Sequence, residues 1–319
     1  MTNFTENLLL SQKLRTLGPP LTEDYTNRID KFLATKYPFF SRHQWQIRIK
    51  QGEVFVNSST IKVTYYPRRG DQISYYYPES KEPLVNDDLQ LLWQSEGLIA
   101  ISKPAPLPMH EGGPYRHNTF VGLLHKKFGS EWSPLHRLDR ETSGIVLCGN
   151  HPEIKQKISK MFRLQQIEKT YLAIVKGYPK KSSWAVNQPI GDLVESQIRI
   201  KKWVNGDGLQ ALTFFRVLKK IENHSLLIAR PKTGRTNQIR IHAAYSELPL
   251  LGDKLYHPDE NVFLNFYENG NTPEVIAASG FVRHCLHAAK LQFRHPSSGA
   301  FCKIKCPLPR DMQDFIELN

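Results

Sequence analysis

Between residues 98 and 229 the chain lays down a series of short apolar and β-branched runs, each of strand length. Leu98-Ile99-Ala100-Ile101 comes first, followed by Ile145-Val146-Leu147-Cys148 and by Thr170-Tyr171-Leu172-Ala173-Ile174-Val175, which stops at Gly177. Residues 211–218 and Ser225-Leu226-Leu227-Ile228-Ala229 read as a further strand pair. Helical stretches fall between some of these runs but not in the regular alternation of a βαβ fold. The expected class is therefore α+β with strands dominating.

The first quarter of the chain reads differently. Residues 1–24 lack sustained periodicity and contain the breakers Gly18-Pro19-Pro20, so they read as an extension. From Asn27 to Lys36 the pattern is helical, with Ile29, Phe32 and Leu33 on one face. Ser41 suits the N-cap of a second helix carrying Trp45 and Ile49, and Gly52 suits its left-handed end. Val54-Phe55-Val56 and Ile73-Ser74-Tyr75-Tyr76-Tyr77 then read as strands. Residues 25–78 thus form a small α/β module. A polar, proline-bearing linker (79–88) separates it from a second domain over 89–319.

The formal charge of +13 favours a polyanionic partner, because Lys and Arg bind phosphates and release counterions. The N-terminal module contributes Arg28, Arg42, Arg48 and Lys50, all on or beside its two helices. No run of about 18 apolar residues is present, so no membrane helix is expected. Nor does the N-terminus look like a secretion signal. Cys148, Cys285, Cys302 and Cys306 lack the spacing of a structural zinc site, which leaves reduced thiols and an intracellular, cytoplasmic protein as the expectation.

Three segments carry candidate chemistry. His136-Arg137-Leu138-Asp139-Arg140-Glu141-Thr142-Ser143-Gly144 places one carboxylate between two arginines just before a buried strand. Neighbouring cations favour a carboxylate's charged form, the form a nucleophile or general base needs. A surface salt bridge would look the same, so these residues alone assign no role. Pro231-Lys232-Thr233-Gly234-Arg235-Thr236-Asn237-Gln238-Ile239-Arg240-Ile241-His242 reads as a turn into a helix capped by Thr236, with arginines placed for a phosphate. Tyr171 sits within an apolar strand, where a tyrosine is more often a core residue than a catalytic one.

In this order the segments resemble the RluA family of pseudouridine synthases. The loop over 136–144, Tyr171 within Lys169-Thr170-Tyr171-Leu172-Ala173, and the turn at Thr233-Gly234-Arg235-Thr236 are similar to that family's motifs. So are Lys103-Pro104, Pro249-Leu250-Leu251-Gly252-Asp253 and Leu286-His287-Ala288-Ala289-Lys290-Leu291. Residues 25–75 resemble the αL-type RNA-binding domain of a small-subunit ribosomal protein. Two departures stand out: Asn237 occupies a position where the family usually has histidine, and residues 257–282 exceed the usual connection and read as a peripheral insertion.

The resemblance implies a mixed, mainly antiparallel sheet in the catalytic domain. It also implies isomerisation of uridine to pseudouridine in ribosomal (large-subunit) or transfer RNA, without metal or cofactor; a monomer is the default expectation. Asp139 would be the catalytic carboxylate, Arg235 its partner, and Tyr171 the ring that stacks on the target base and removes its proton. Lys103, His136, Arg137, Arg140 and Arg240 would face the RNA. Two other readings compete: an RNA-binding or ribosome-assembly factor that keeps the fold without catalysis, and a glycoside hydrolase pairing Asp139 with a second carboxylate, for which Glu141 is nearest.

Overall fold

A computed structural model describes residues 12–38, 40–78 and 82–319. The chain divides into two compact units, Met1–Pro83 and Leu84–Asn319. The smaller contains β1 (Gln12–Thr16), α1 (Ile29–Lys36), α2 (Arg42–Lys50), β2 (Val54–Val56), β3 (Ser59–Thr60) and β4 (Ile73–Pro78). Its sheet runs β1-β4-β2-β3. Ser41 starts α2 through a capping box: its hydroxyl accepts from the Gln44 N–H, and Gln44 accepts from the Ser41 N–H. Ile29, Phe32 and Leu33 pack with Trp45 and Ile49 in one core.

The N-terminal boundary expected at residue 25 is corrected by the structure. β1 pairs along β4 from Gln12↔Pro78 to Thr16↔Ser74, and Leu17 and Leu21 are buried in the same core. Residues 12–24 therefore belong to the module. Their apolar positions are too widely spaced to show a period. Residues 1–11 of the expected extension and 79–81 of the linker lie outside the described residues.

The larger unit opens with β5 (Gln90–Ser95), β6 (Leu98–Lys103), α3 (Phe120–Phe128), β7 (Ser133–Pro134), β8 (Ser143–Gly149), α4 (Pro152–Arg163) and β9 (Glu168–Lys176). It continues with β10 (Ser183–Asn187), β11 (Ile190–Asp192), β12 (Lys202–Val204), β13 (Leu212–Ile221), β14 (His224–Pro231) and α5 (Gln238–Tyr245). Last come α6 (Asn261–Asn269), α7 (Pro273–Ser279), β15 (Leu286–Arg294), β16 (Phe301–Lys305) and α8 (Arg310–Leu318). The main sheet has the order β10-β13-β14-β9-β15-β8-β6-β5, antiparallel throughout except where β15 meets β8. The class is α+β with a mixed, mostly antiparallel sheet, as expected.

Strand periodicity explains how the sheet buries both faces in its centre. Ile99, Ile101, Val146 and Cys148 face one side and pack under Phe120 and Leu124 of α3. Their neighbours Leu98, Ala100, Ile145 and Leu147 face the other side and pack under Ile154 and Ile158 of α4. Such strands read as unbroken apolar runs because neither face meets water. The sheet is thereby a rigid platform, and the segments that carry chemistry emerge at its strand ends.

Candidate active site

The loop before β8 is fixed at almost every residue except Asp139. His136 accepts the Leu147 N–H at 3.0 Å through Nε2. Burial holds this imidazole down at about 4, so it stays neutral and keeps that lone pair available. Leu138 is buried, and the Thr142 N–H closes a turn onto the Asp139 carbonyl. The Arg140 carbonyl accepts from Lys103 Nζ at 3.1 Å and from the Leu107 N–H at 2.8 Å. The Glu141 carbonyl accepts from Arg283 at 3.0 Å, while its carboxylate turns inward to the His284 N–H at 3.1 Å. Thr142 and Ser143 bond to the rings of His284 (2.7 Å) and His287 (2.9 Å).

Gly144 completes this anchoring. Its φ is +113°, and a Cβ there would lie 2.4 Å from the Ala288 carbonyl oxygen, where β8 meets β15. Only glycine lets the two strands approach so closely. His284 and His287, which flank Cys285 in sequence, are thus braces for the loop. Among the described residues no cluster of His, Cys, Asp or Glu is arranged to hold a metal ion, and all four cysteines are buried and unpaired.

Asp139 points into a cleft of ≈ 510 Å³ lined also by Tyr171 and by residues of the turn into α5. Here the structure corrects the expected partner. Arg235 donates instead to the Gln210 carbonyl at 3.0 Å, whereas Arg240 approaches Asp139 Oδ2 at 3.3 Å. Arg240 is buried and held on every side. Its Nε and Nη2 form a bidentate pair with Asp253 at 2.7 and 2.8 Å, and its Nη1 also donates to Asn237 at 2.9 Å. The Tyr256 ring lies 5.0 Å from its guanidinium. Burial alone would lower the arginine's pKa, but the charges of Asp253 and Asp139 raise it, so the cation is permanent.

The physical reason for the exchange lies at the helix start. Asn237, not Thr236, is the N-cap of α5 and adopts left-handed backbone with φ 56°, a conformation asparagine tolerates. The helix therefore starts at Gln238, and Arg240 falls in its first turn, facing the Asp139 loop. Gln238 builds the preceding turn, accepting from the Thr233 hydroxyl at 2.7 Å and the Arg235 N–H at 3.0 Å. Lys169 ties the same turn to β9 by donating to the Thr233 carbonyl at 2.9 Å.

Tyr171 pairs with Ala229 and Ala288 across its two neighbouring strands, which sets its ring in the cleft. Burial, and then the charge of Asp139, push its phenol well above the usual tyrosine value. A neutral phenol is the resting form.

Several cations expected to face RNA are internal instead. Lys103 is 0% exposed and donates to the carbonyls of Pro104, Leu107 and Arg140. Arg240 is likewise buried, and His136 is spent on the Leu147 N–H. In the small unit Arg28 and Arg42 both bond to the buried Asp30. Arg48 bonds to Glu53 and the Tyr76 carbonyl and stacks 4.2 Å from the Phe40 ring. Lys50 and Arg137 are exposed. Arg140 pairs with Glu141 and lies 5.5 Å from the Phe266 ring of α6. The 257–282 insertion is therefore not peripheral: Phe266 touches the residue that follows Asp139.

A family model described as RNA pseudouridylate synthase matches residues 97–245, the span that builds this cleft. The chain is 32% identical to an uncharacterized RNA pseudouridine synthase of Aquifex aeolicus, over 87% of this chain and 89% of that protein. It belongs to the RNA pseudouridine synthases, isomerases that modify RNA. A further relative is ribosomal large subunit pseudouridine synthase D of Xylella fastidiosa, 31% identical over 89% of this chain and 86% of its own length. Among solved structures, human RNA pseudouridylate synthase domain containing 1 shares the fold, with a TM-score of 0.55 and 21% identity over 71% of this chain and 86% of its own.

Proposed function

We propose that this enzyme converts specific uridines of large-subunit ribosomal RNA to pseudouridine, with Asp139 as the catalytic carboxylate. The observation that carries the reading is the setting of Asp139: a carboxylate on a loop otherwise pinned into the sheet, in a cleft, 3.3 Å from a buried and permanently charged arginine. Reactivity of this kind requires the group to be held in place before the nucleotide arrives. The base leaves its ribose, turns, and rejoins through a ring carbon, with Asp139 attacking the nucleotide or removing a ribose proton. No oxidation state changes, so the reaction calls for neither nicotinamide nor flavin.

Arg240 is the positioning residue for Asp139 in this reading. Arg235, at the mouth of the cleft, becomes a phosphate contact. Tyr171 offers its ring to the flipped base; its raised pKa favours stacking over proton removal. The small unit is assigned a role in RNA binding through Lys50 and the exposed parts of Arg28 and Arg42. The intracellular location follows from an RNA target, and a monomer suffices because every residue invoked comes from one chain. Ribosomal RNA is chosen over transfer RNA because a relative covering most of the chain is named for that substrate.

The test is to map pseudouridine in ribosomal and transfer RNA from cells with and without the gene, then to restore wild-type or Asp139→Ala protein. Loss of one or more large-subunit sites, restored only by the wild type, is expected. Loss at a transfer RNA site would move the target. An unchanged map would leave a binding or assembly role, and restoration by Asp139→Ala would remove the catalytic assignment.

A further inference from the structure

The β10-β13-β14-β9 end of the main sheet leaves part of one face uncovered, and its chemistry is not neutral. Along β13, Thr213 and Phe215 are buried while Phe214 and Arg216 are exposed. Along β14, Ala229 and Pro231 are buried while Arg230 is exposed. This alternation marks a solvated sheet face. Register brings its residues together: Phe214 pairs with Arg230, Arg216 with Ile228, and Lys290 of β15 with Thr170. Cross-strand diagonal neighbours such as Arg216 and Arg230 lie on the order of 7–8 Å apart at their backbones. Phe214, Arg216, Ile228, Arg230 and Thr170 border a groove of ≈ 430 Å³.

Two features point to an anionic, aromatic occupant. First, the cations are unspent: among the described residues, the side chains of Arg216, Arg230, Lys232 and Lys290 form no ion pair or hydrogen bond. Glu168 is the single carboxylate on the groove's border. Partial burial chiefly depresses Lys290, with the charges of Arg230, Lys303 and Lys305 adding to it and that of Glu168 opposing it. Second, Phe214 is 42% exposed in their midst and, among the described residues, packs on no other ring, so its face is open for stacking.

The groove also adjoins the catalytic cleft. Gln165, Lys169 and Pro231 border both, at the end of the sheet where β9 begins and β14 ends. A strand of RNA leaving the cleft around that end would meet Lys232, then Arg230 and Phe214.

We propose that this groove is a second RNA subsite, which holds single-stranded nucleotides flanking the target uridine by phosphate contacts to Arg216 and Arg230 and by a base stacked on Phe214. The proposal rests on the reading that RNA enters the catalytic cleft. Its test is a binding measurement that does not depend on turnover. Fluorescence anisotropy would compare oligouridine of about 12 and about 3 nucleotides, the shorter filling the cleft alone.

The longer probe should bind the wild type more tightly. Arg216→Ala/Arg230→Ala should leave the short probe's affinity intact, which also shows that the cleft is folded. For the long probe it should reduce the salt dependence by about 1.4 in slope, at about 0.7 per phosphate of a single strand. That corresponds to about sevenfold less loss of affinity between 50 and 200 mM salt. Phe214→Ala should weaken the long probe at least about fivefold with the salt slope unchanged. Equal affinity of the two probes for the wild type would overturn the proposal. So would an unchanged salt slope in the double variant, which would leave the groove to an acidic protein segment. Pseudouridine mapping decides the catalytic reading separately, so either can fail while the other stands.

Discussion

The exchange of Arg235 for Arg240 as the partner of Asp139 makes a sharp prediction, because Arg240 also neutralises a carboxylate with no access to water. The Asp253 side chain is 0% exposed and shares two short bonds with Arg240. Arg240→Met keeps most of the volume but strands that buried charge. Breaking a buried pair from one side costs about 3–5 kcal/mol. For a unit of the size of Leu84–Asn319, each kcal/mol shifts the melting temperature by about 2–4 °C, so a fall of about 6–20 °C is expected. Turnover should fall at least about 100-fold with loss of the fixed charge beside Asp139.

The double variant Arg240→Met/Asp253→Asn then separates the two effects. Asparagine removes the stranded charge yet can still accept the Tyr256 N–H, which the Asp253 carboxylate accepts at 3.1 Å. Most of the thermal stability should return, while activity stays lost. Thermal denaturation and tritium release from ring-tritiated ribosomal RNA of cells lacking the gene measure the two quantities. The reasoning is refuted if the double variant regains turnover with its stability, or if Arg240→Met melts within about 2 °C of wild type. Arg235→Met, whose side chain bonds only to an exposed carbonyl, should change the melting temperature by no more than a few degrees.

Other predictions follow from the loop and its neighbours. His136 is held at about 4, below its ordinary 6.5, so between these values the unfolded chain binds a proton that the folded chain does not. Its contribution is fully present above pH 6.5 and is lost as pH falls towards 4, by up to about 3 kcal/mol. In urea unfolding, the stability of wild type and His136→Gln should diverge over this range, and parallel curves would refute the assignment. Gly144→Ala places a methyl against the Ala288 backbone at a positive φ. It should cost about 1–3 kcal/mol from the backbone conformation before any clash is counted, measured in the same way. Asn237→Gly retains the left-handed cap but removes the oxygen that holds Arg240, so kcat should fall about tenfold or more at unchanged KM.

What the sequence made legible depended on how local the determinant was. The strand runs and the N-cap at Ser41 rest on residues close together in the chain, and these read correctly as elements. Lys103 misled because lysines are rarely buried, and nothing beside it announces the three carbonyls it satisfies. Arg240 was obscured for a related reason. Its identity as the partner depends on Asp253, 13 positions on, and on a helix that starts one residue later than a threonine cap would place it. A signal was present: an arginine in the first helical turn, followed by an aspartate inside an apolar Pro249-Leu250-Leu251-Gly252-Asp253 segment, is a buried charge seeking a counter-charge.

The two carboxylates in the loop meet different fates, and the proposed roles follow from them. Asp139 and Glu141 are two residues apart and equally acidic in composition, and a hydrolase reading would set both to work. The fold separates them. Glu141 is turned under the loop, where it accepts the His284 N–H and lies 3.8 Å from buried Lys254, so it serves as a strut. Asp139 reaches the cleft, with its backbone carbonyl claimed by Thr142 and, among the described residues, its side chain met only by Arg240. The cations that build this arrangement, Lys103, Lys254, Arg283 and Arg240, are all buried and face inward. The positive charge that first suggested a polyanionic partner thus has two populations. One is consumed in holding a single carboxylate still; the other, exposed along the strands of the uncovered sheet face, is left free for phosphate.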